Sequence, residues 1–165
     1  MSNQLEQVLK KQQEQQRGPQ EGEIEEVVQL VGFMVGDEEF AVPILSIQEI
    51  IKPIEYTRAP KTPPYVLGVF NLRGSVLPLI DLRMKFGLSK SKENEDTRYM
   101  VIKHNDEVAG FVIDRLTQAT RIKESAIDPA PETLSDEQNL IYGVGKQRDK
   151  LISILNVEAL LKRDF

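Results

Sequence analysis

Tyr65-Val66-Leu67-Gly68-Val69-Phe70-Asn71-Leu72-Arg73-Gly74-Ser75-Val76-Leu77-Pro78-Leu79-Ile80-Asp81-Leu82-Arg83 reads as a β-hairpin, two apolar runs meeting at a polar turn. A period of two predicts that Val66, Gly68, Phe70 and Leu72 share one face of the first strand, and Val76, Pro78, Ile80 and Leu82 one face of the second. Gly74 can take the positive φ that a tight turn requires, and Asn71 tolerates turn geometry. Arg73 is thereby held near the tip of a stiff element. Its guanidinium fork can meet a carboxylate or carbonyl of another chain with little entropy left to lose. From spacing alone the plainer reading is a solvated turn residue, since most surface charges contribute little.

Upstream of the hairpin, residues 1–24 are rich in Gln, Glu and Lys and poor in aliphatic side chains, so they are read as a flexible tail that cannot build a core. From residue 25 to 165 the texture is that of a folded domain. Val27 to Val35, a polar turn at Gly36-Asp37-Glu38-Glu39 and Phe40-Ala41-Val42 predict a second hairpin. After Pro43, Ile44, Ile47 and Ile51 recur at three and four positions and predict a short helical turn running back into extended chain. Glu49 falls off that stripe and is expected to face solvent or a partner. Pro53, Pro60, Pro63 and Pro64 make Lys52 to Pro64 a stiff irregular connection, because each fixes φ and removes a donor.

Downstream, Lys85 to Thr97 is expected to be a charged surface loop. Tyr99 to Lys103 and Val108 to Leu116 form a third hairpin, whose acidic turn mirrors the one after Val35 and hints at two β units of like design. Ala119 to Ile122 adds a strand, and the prolines of Asp128-Pro129-Ala130-Pro131-Glu132 are expected to forbid regular structure there. Leu140 to Gly145 and Leu151 to Leu155 give two more strands. Asn156 then caps a last helix with Val157, Leu160 and Leu161 as its apolar stripe. Eight to ten short strands with two brief helices predict an all-β fold of small barrels or a sandwich.

Composition narrows the chemistry. At 165 residues the chain fits one domain or two small packed units. A net charge of -5 lacks the basic excess of a protein that tracks a nucleic-acid backbone. There is no Cys and one His, His104, at a turn with no suggested partner, which weakens thiol, triad and His-cluster metal chemistry together. Paired carboxylates such as Glu38 with Glu39 lie in turns, where water keeps both ionised. Neither a secretory signal nor an apolar run long enough to span a bilayer is visible, so a cytoplasmic protein is expected. Only Tyr56, Arg58, Lys61 and Tyr65 cluster as aromatics among cations, which leaves a nucleic-acid-binding barrel as the alternative function and a hydrolase using loop carboxylates as a third.

Read together, Gly36-Asp37-Glu38-Glu39-Phe40-Ala41-Val42-Pro43-Ile44-Leu45-Ser46-Ile47-Gln48-Glu49-Ile50, Gly68-Val69-Phe70-Asn71-Leu72-Arg73-Gly74, Leu77-Pro78-Leu79-Ile80-Asp81-Leu82-Arg83, Val112-Ile113-Asp114 and Leu151 to Leu161 closely resemble the CheW family of chemotaxis coupling proteins. The resemblance covers residue 25 to the C-terminus. It implies two five-stranded SH3-like β-barrels packed together, with short helices including one at the C-terminus. It also implies an adaptor between the cytoplasmic tips of methyl-accepting chemotaxis receptors and the SH3-like regulatory domain of the histidine kinase CheA, with no catalysis, cofactor or metal. Such an adaptor stays in the cytoplasm and reaches receptor arrays through its partners. Ile47, Glu49, Gly68 and Arg73 fall on motif positions that the family links to coupling, and are the expected protein-binding residues. A departure from the fused CheV type of the family is also expected, since no phosphoacceptor receiver domain is visible.

Overall fold

A computed structural model describes residues 26–130, 140–147 and 149–162. The expected tail, residues 1–24, lies outside the described residues, as do Pro131 and Glu132. Among the described residues, eleven strands form two sheets. The first contains β1 (Val27–Val35), β2 (Glu38–Pro43), β8 (Arg115–Lys123), β9 (Ile127–Pro129), β10 (Ile141–Gln147) and β11 (Lys150–Leu155). The second contains β3 (Ile47–Ile51), β4 (Val66–Leu72), β5 (Ser75–Asp81), β6 (Arg98–His104) and β7 (Glu107–Ile113). The second sheet is thus one continuous piece of chain inserted into the first.

Each sheet closes on itself. The first runs β8-β1-β2-β11-β10-β9. Its two ends, β8 and β9, are consecutive in the chain, parted only by a 3-10 turn at Glu124–Ala126. The second runs β3-β6-β7-β5-β4, and the chain leaving β3 reaches Thr57, which bridges Val69 on β4 at the opposite end. Each sheet thus brings its two ends near one another, the arrangement of a small barrel. The barrels share one plan. Hairpins β1–β2 and β6–β7 occupy equivalent places, and each is joined in parallel to a second hairpin, through β2–β11 in one barrel and β7–β5 in the other. Each second hairpin has a bulge one residue into its first strand and is followed by a capped helix, α1 (Leu82–Lys85) behind Asp81 and α2 (Val157–Leu161) behind Asn156.

Packing is divided among three clusters. Leu30, Ala41, Ile122, Ile152 and Ile154 fill the first barrel. Phe70, Leu77, Leu79, Tyr99, Val101 and Val112 fill the second, with Phe70 and Tyr99 edge to face at 5.8 Å. A central cluster, including Phe33, Phe40, Met100, Ile102, Phe111 and Leu160, glues the barrels together. Strand β6 therefore buries both faces, Tyr99 and Val101 in its own barrel and Met100 and Ile102 between the barrels. This explains an apolar run without alternation.

Four expectations change. The bulge between Val66 and Gly68 turns Val66 into the central cluster, so it does not share a face with Phe70, and Val76 is exposed. After Pro43 the expected short helical turn is the 3-10 turn Ile44–Ser46 and it runs back into extended chain, but Ile44, Ile47 and Ile51 do not share a helical face, since Ile47 and Ile51 lie on β3. A bulge between Ile47 and Glu49 puts Ile47 and Ile50 against the same cluster, and so imitates a helical period. Val108 to Leu116 is not one strand, since the chain changes barrel at Asp114. Finally, Ile127–Pro129 does pair with β10, because a proline closing a short edge strand removes no needed donor. Lys85 closes α1, and the loop after it to Thr97 is irregular as expected. It is pinned by fully buried Asp81, which accepts from the Ser91 N–H at 2.9 Å and Oγ at 2.8 Å.

Candidate functional site

Of the four residues expected at the site, the structure brings Glu49 and Arg73 together, while Gly68 packs on the Thr57 backbone and Ile47 on the central cluster. Glu49 lies on β3, Gly68 and the approach to Arg73 on β4, and these strands are the two ends of the sheet. Arg73 sits at the β4–β5 turn with a φ of 52°, beside Gly74 at 88°. Gly74 N–H donates to Asn71 Oδ1 at 3.0 Å, which fixes the tip.

From that tip the Arg73 guanidinium reaches back across the seam. Its Nε donates to Glu49 Oε2 at 3.1 Å and its Nη2 to Oε1 at 2.8 Å, a two-pronged ion pair between residues 24 apart. The hydrogen bond from Arg73 holds the Glu49 carboxyl below the usual carboxylate range, and the same bond raises the guanidinium. Arg73 is thus not a free donor aimed outward, and Glu49 is half-buried beneath it rather than pointing into solvent. The surface presented there is a paired, oriented charge, which sequence spacing could not reveal.

Gly68 is buried and serves the seam from inside. Thr57 and Val69 exchange two backbone hydrogen bonds, both 2.8 Å. A Cβ on Gly68 would overlap the Thr57 carbonyl. Gly143 meets Asp128 in the same manner where β9 closes the first barrel, its Cβ position lying 2.6 Å from the Asp128 carbonyl oxygen. The room that Gly68 makes is therefore for its own chain.

Ile47 starts β3 and is half-buried against the central cluster, its N–H bonded to Ile44 O. Two residues upstream Leu45 is 96% exposed and Ile44 is 38% exposed. These two went unnoticed in the sequence because a helical reading assigned Ile44 to a buried stripe. Apolar surface at Ile44, Leu45 and Ile47 thus adjoins the charged Glu49–Arg73 pair along the chain.

The family model described as CheW-like domain matches residues 29–165. The chain is 62% identical over 165 residues to the chemotaxis protein CheW of Helicobacter pylori, covering all of both chains. It is 32% identical over 143 residues to that of Bacillus subtilis, covering 86% of this chain and 92% of the relative. Among solved structures, the scaffolding protein TtCheW from Thermoanaerobacter tengcongensis matches with a TM-score of 0.78 and 28% identity, over 84% of this chain and 95% of that one.

Proposed function

The chain belongs to the CheW family of chemotaxis scaffold proteins, and from that premise we propose that it is a non-catalytic adaptor joining the cytoplasmic tips of methyl-accepting chemoreceptors to the regulatory domain of the histidine kinase CheA. It works from the cytoplasm and is recruited to receptor arrays by those partners. Binding both at once raises the effective concentration of kinase at the receptor, and a closed, densely packed barrel passes on a small displacement instead of absorbing it.

The observation that carries this reading is the seam of the second barrel. Exposed Leu45 and half-buried Ile47 offer apolar area, and the Glu49–Arg73 pair supplies a polar border held in one geometry. An apolar centre with a polar rim is the anatomy of a protein interface. Arg73 and Glu49 hold each other before a partner arrives, which lowers the entropy lost on docking.

Co-sedimentation of the protein with receptor signalling fragments and CheA, with kinase activity read in the same tube, tests the proposal. A ternary assembly with stimulated kinase is the expected outcome. Failure to bind either cognate partner would sink it, and turnover of a substrate by the purified protein would contradict the non-catalytic part.

A further inference from the structure

Beside the proline-rich connection a cavity of about 610 Å³ opens, well away in sequence from the Arg73 tip. Three cations, Arg58, Lys61 and Lys90, stand on its rim, and no carboxylate lines it among the described residues, although the whole chain carries a net charge of -5. None of the three is in an ion pair within the described residues. Lys61 is presented by a backbone turned to a φ of 61° between Pro60 and Pro63, so its position is set by a stiff loop. Val66, Leu67 and Met84 give the cavity apolar walls.

The cavity does not end there. It shares Tyr56, Leu67 and Lys90 with a second of about 220 Å³, which in turn shares Tyr56, Glu93 and Tyr99 with a third of about 550 Å³. The result is one groove with Tyr56 in the middle. At its far end the sign reverses, because Glu55 and Glu93 line the third cavity and no cation does so among the described residues.

We infer that this groove is a docking site for an extended peptide segment of a partner protein, with carboxylates at one end, an apolar or aromatic residue against Tyr56, and a basic residue at the other end. The charges lining the groove are the complement of such a segment, and complementary charge selects partners and speeds encounter. Tyr56, 37% exposed, supplies a flat amphipathic surface for the central side chain. A nucleic acid fits less well, since a phosphate backbone needs cations along its whole path and would meet Glu55 and Glu93 instead. The groove borders the seam at Thr57 and Gly68 but includes neither Glu49 nor Arg73, and the inference does not rest on the adaptor reading.

Fluorescence anisotropy on the full-length protein tests it with a labelled peptide of glutamates flanking a phenylalanine, and with versions extended at either end by a lysine pair. The acidic peptide is expected to bind, and its affinity to fall roughly tenfold in Arg58→Ala/Lys61→Gly, in which glycine keeps the positive φ and the thermal midpoint is unchanged. One lysine-extended version is expected to bind more tightly, with that gain lost in Glu55→Gln/Glu93→Gln. Absence of binding by every peptide, equal affinity in both variants, or tighter binding of oligothymidylate through the same cations would overturn the inference.

Discussion

Arg83 Nη1 lies 2.9 Å from Asp114 Oδ2, and that oxygen also accepts the Gly36 N–H at 2.8 Å. Gly36 belongs to the β1–β2 turn of the first barrel and Arg83 to α1 of the second, while Asp114 is the residue at which the chain crosses between them. One carboxylate thus ties the β1–β2 turn of the first barrel to α1 of the second. It adds direction to the central apolar cluster, which is strong but non-directional.

Asp114→Ala should lower the thermal midpoint by about 3–6 °C, as expected for a loss of about 1–2 kcal/mol in a chain of this size. Hydrogen exchange at the Gly36 amide should accelerate, because that donor loses its acceptor. An unchanged exchange rate there would show that the clamp does not operate in solution.

Gly68→Ala should cost about 2–3 kcal/mol and lower the midpoint by roughly 5–10 °C, since a methyl group must displace the Thr57 backbone rather than a flexible side chain. Gly143→Ala should do the same to the first barrel. If the seam of the second barrel is the coupling surface, the two variants part in function: after correction for folded protein, Gly68→Ala loses kinase coupling and Gly143→Ala keeps it. Equal loss in both would assign Gly68 a purely structural part.

Tyr99 is buried in the core of the second barrel, its hydroxyl donating to Ile54 O at 3.3 Å. Burial, reinforced by the nearby Glu93 and Tyr56, pushes its pKa up to about 12. The unfolded phenol ionises near pH 10, so between about pH 10 and 12 the folded state holds the proton that the unfolded state has lost. Stability from this residue is therefore complete below pH 10 and declines as pH rises to 12. Tyr99→Phe should remove the step near pH 12 from the tyrosinate absorbance and flatten the fall in thermal midpoint over that window.

The hairpins and the last helix were legible because their signals are local: polar turns between apolar runs, and Asn156 ahead of Val157, Leu160 and Leu161. What escaped is non-local. Nothing near Val112 announces that the strand breaks at Asp114 to change barrels, nor that β2 and β5 pair in parallel with strands far along the chain. The spacing of Ile44, Ile47 and Ile51 imitates a helical face, although only Ile44–Ser46 is a helical turn and Ile47 and Ile51 lie on a bulged strand against different clusters. At the site, the residue types that form the seam were visible in the motif, but Arg73 found its carboxylate on another strand, and the positive φ of Arg73 gave no sequence signal beside Gly74. Leu45 was missed for a related reason: the helical reading gave no cause to expect an almost fully exposed leucine.

The Arg73–Glu49 pair raises the question of whether coupling needs Arg73 itself or the pair. The pair spans a surface-exposed seam, so Arg73→His should leave the thermal midpoint nearly unchanged while impairing coupling. Single reversals, Arg73→Glu or Glu49→Arg, should lower kinase stimulation at least roughly tenfold by placing like charges together. If the oriented pair is what matters, the double swap restores a large part of the stimulation; if a partner's carboxylate takes the guanidinium directly, the double swap stays as poor as either single change. Acid gives an independent check. With its pKa lowered by Arg73, Glu49 favours the folded state above the pKa of an unfolded glutamate, and this is lost as pH falls through its own lower value. Carboxyl chemical shifts should therefore show Glu49 titrating below the usual range in the parent protein and moving back up in Arg73→Gln. A titration that does not move would mean that the fork is not closed in solution, and would return Arg73 to the role of a free docking group.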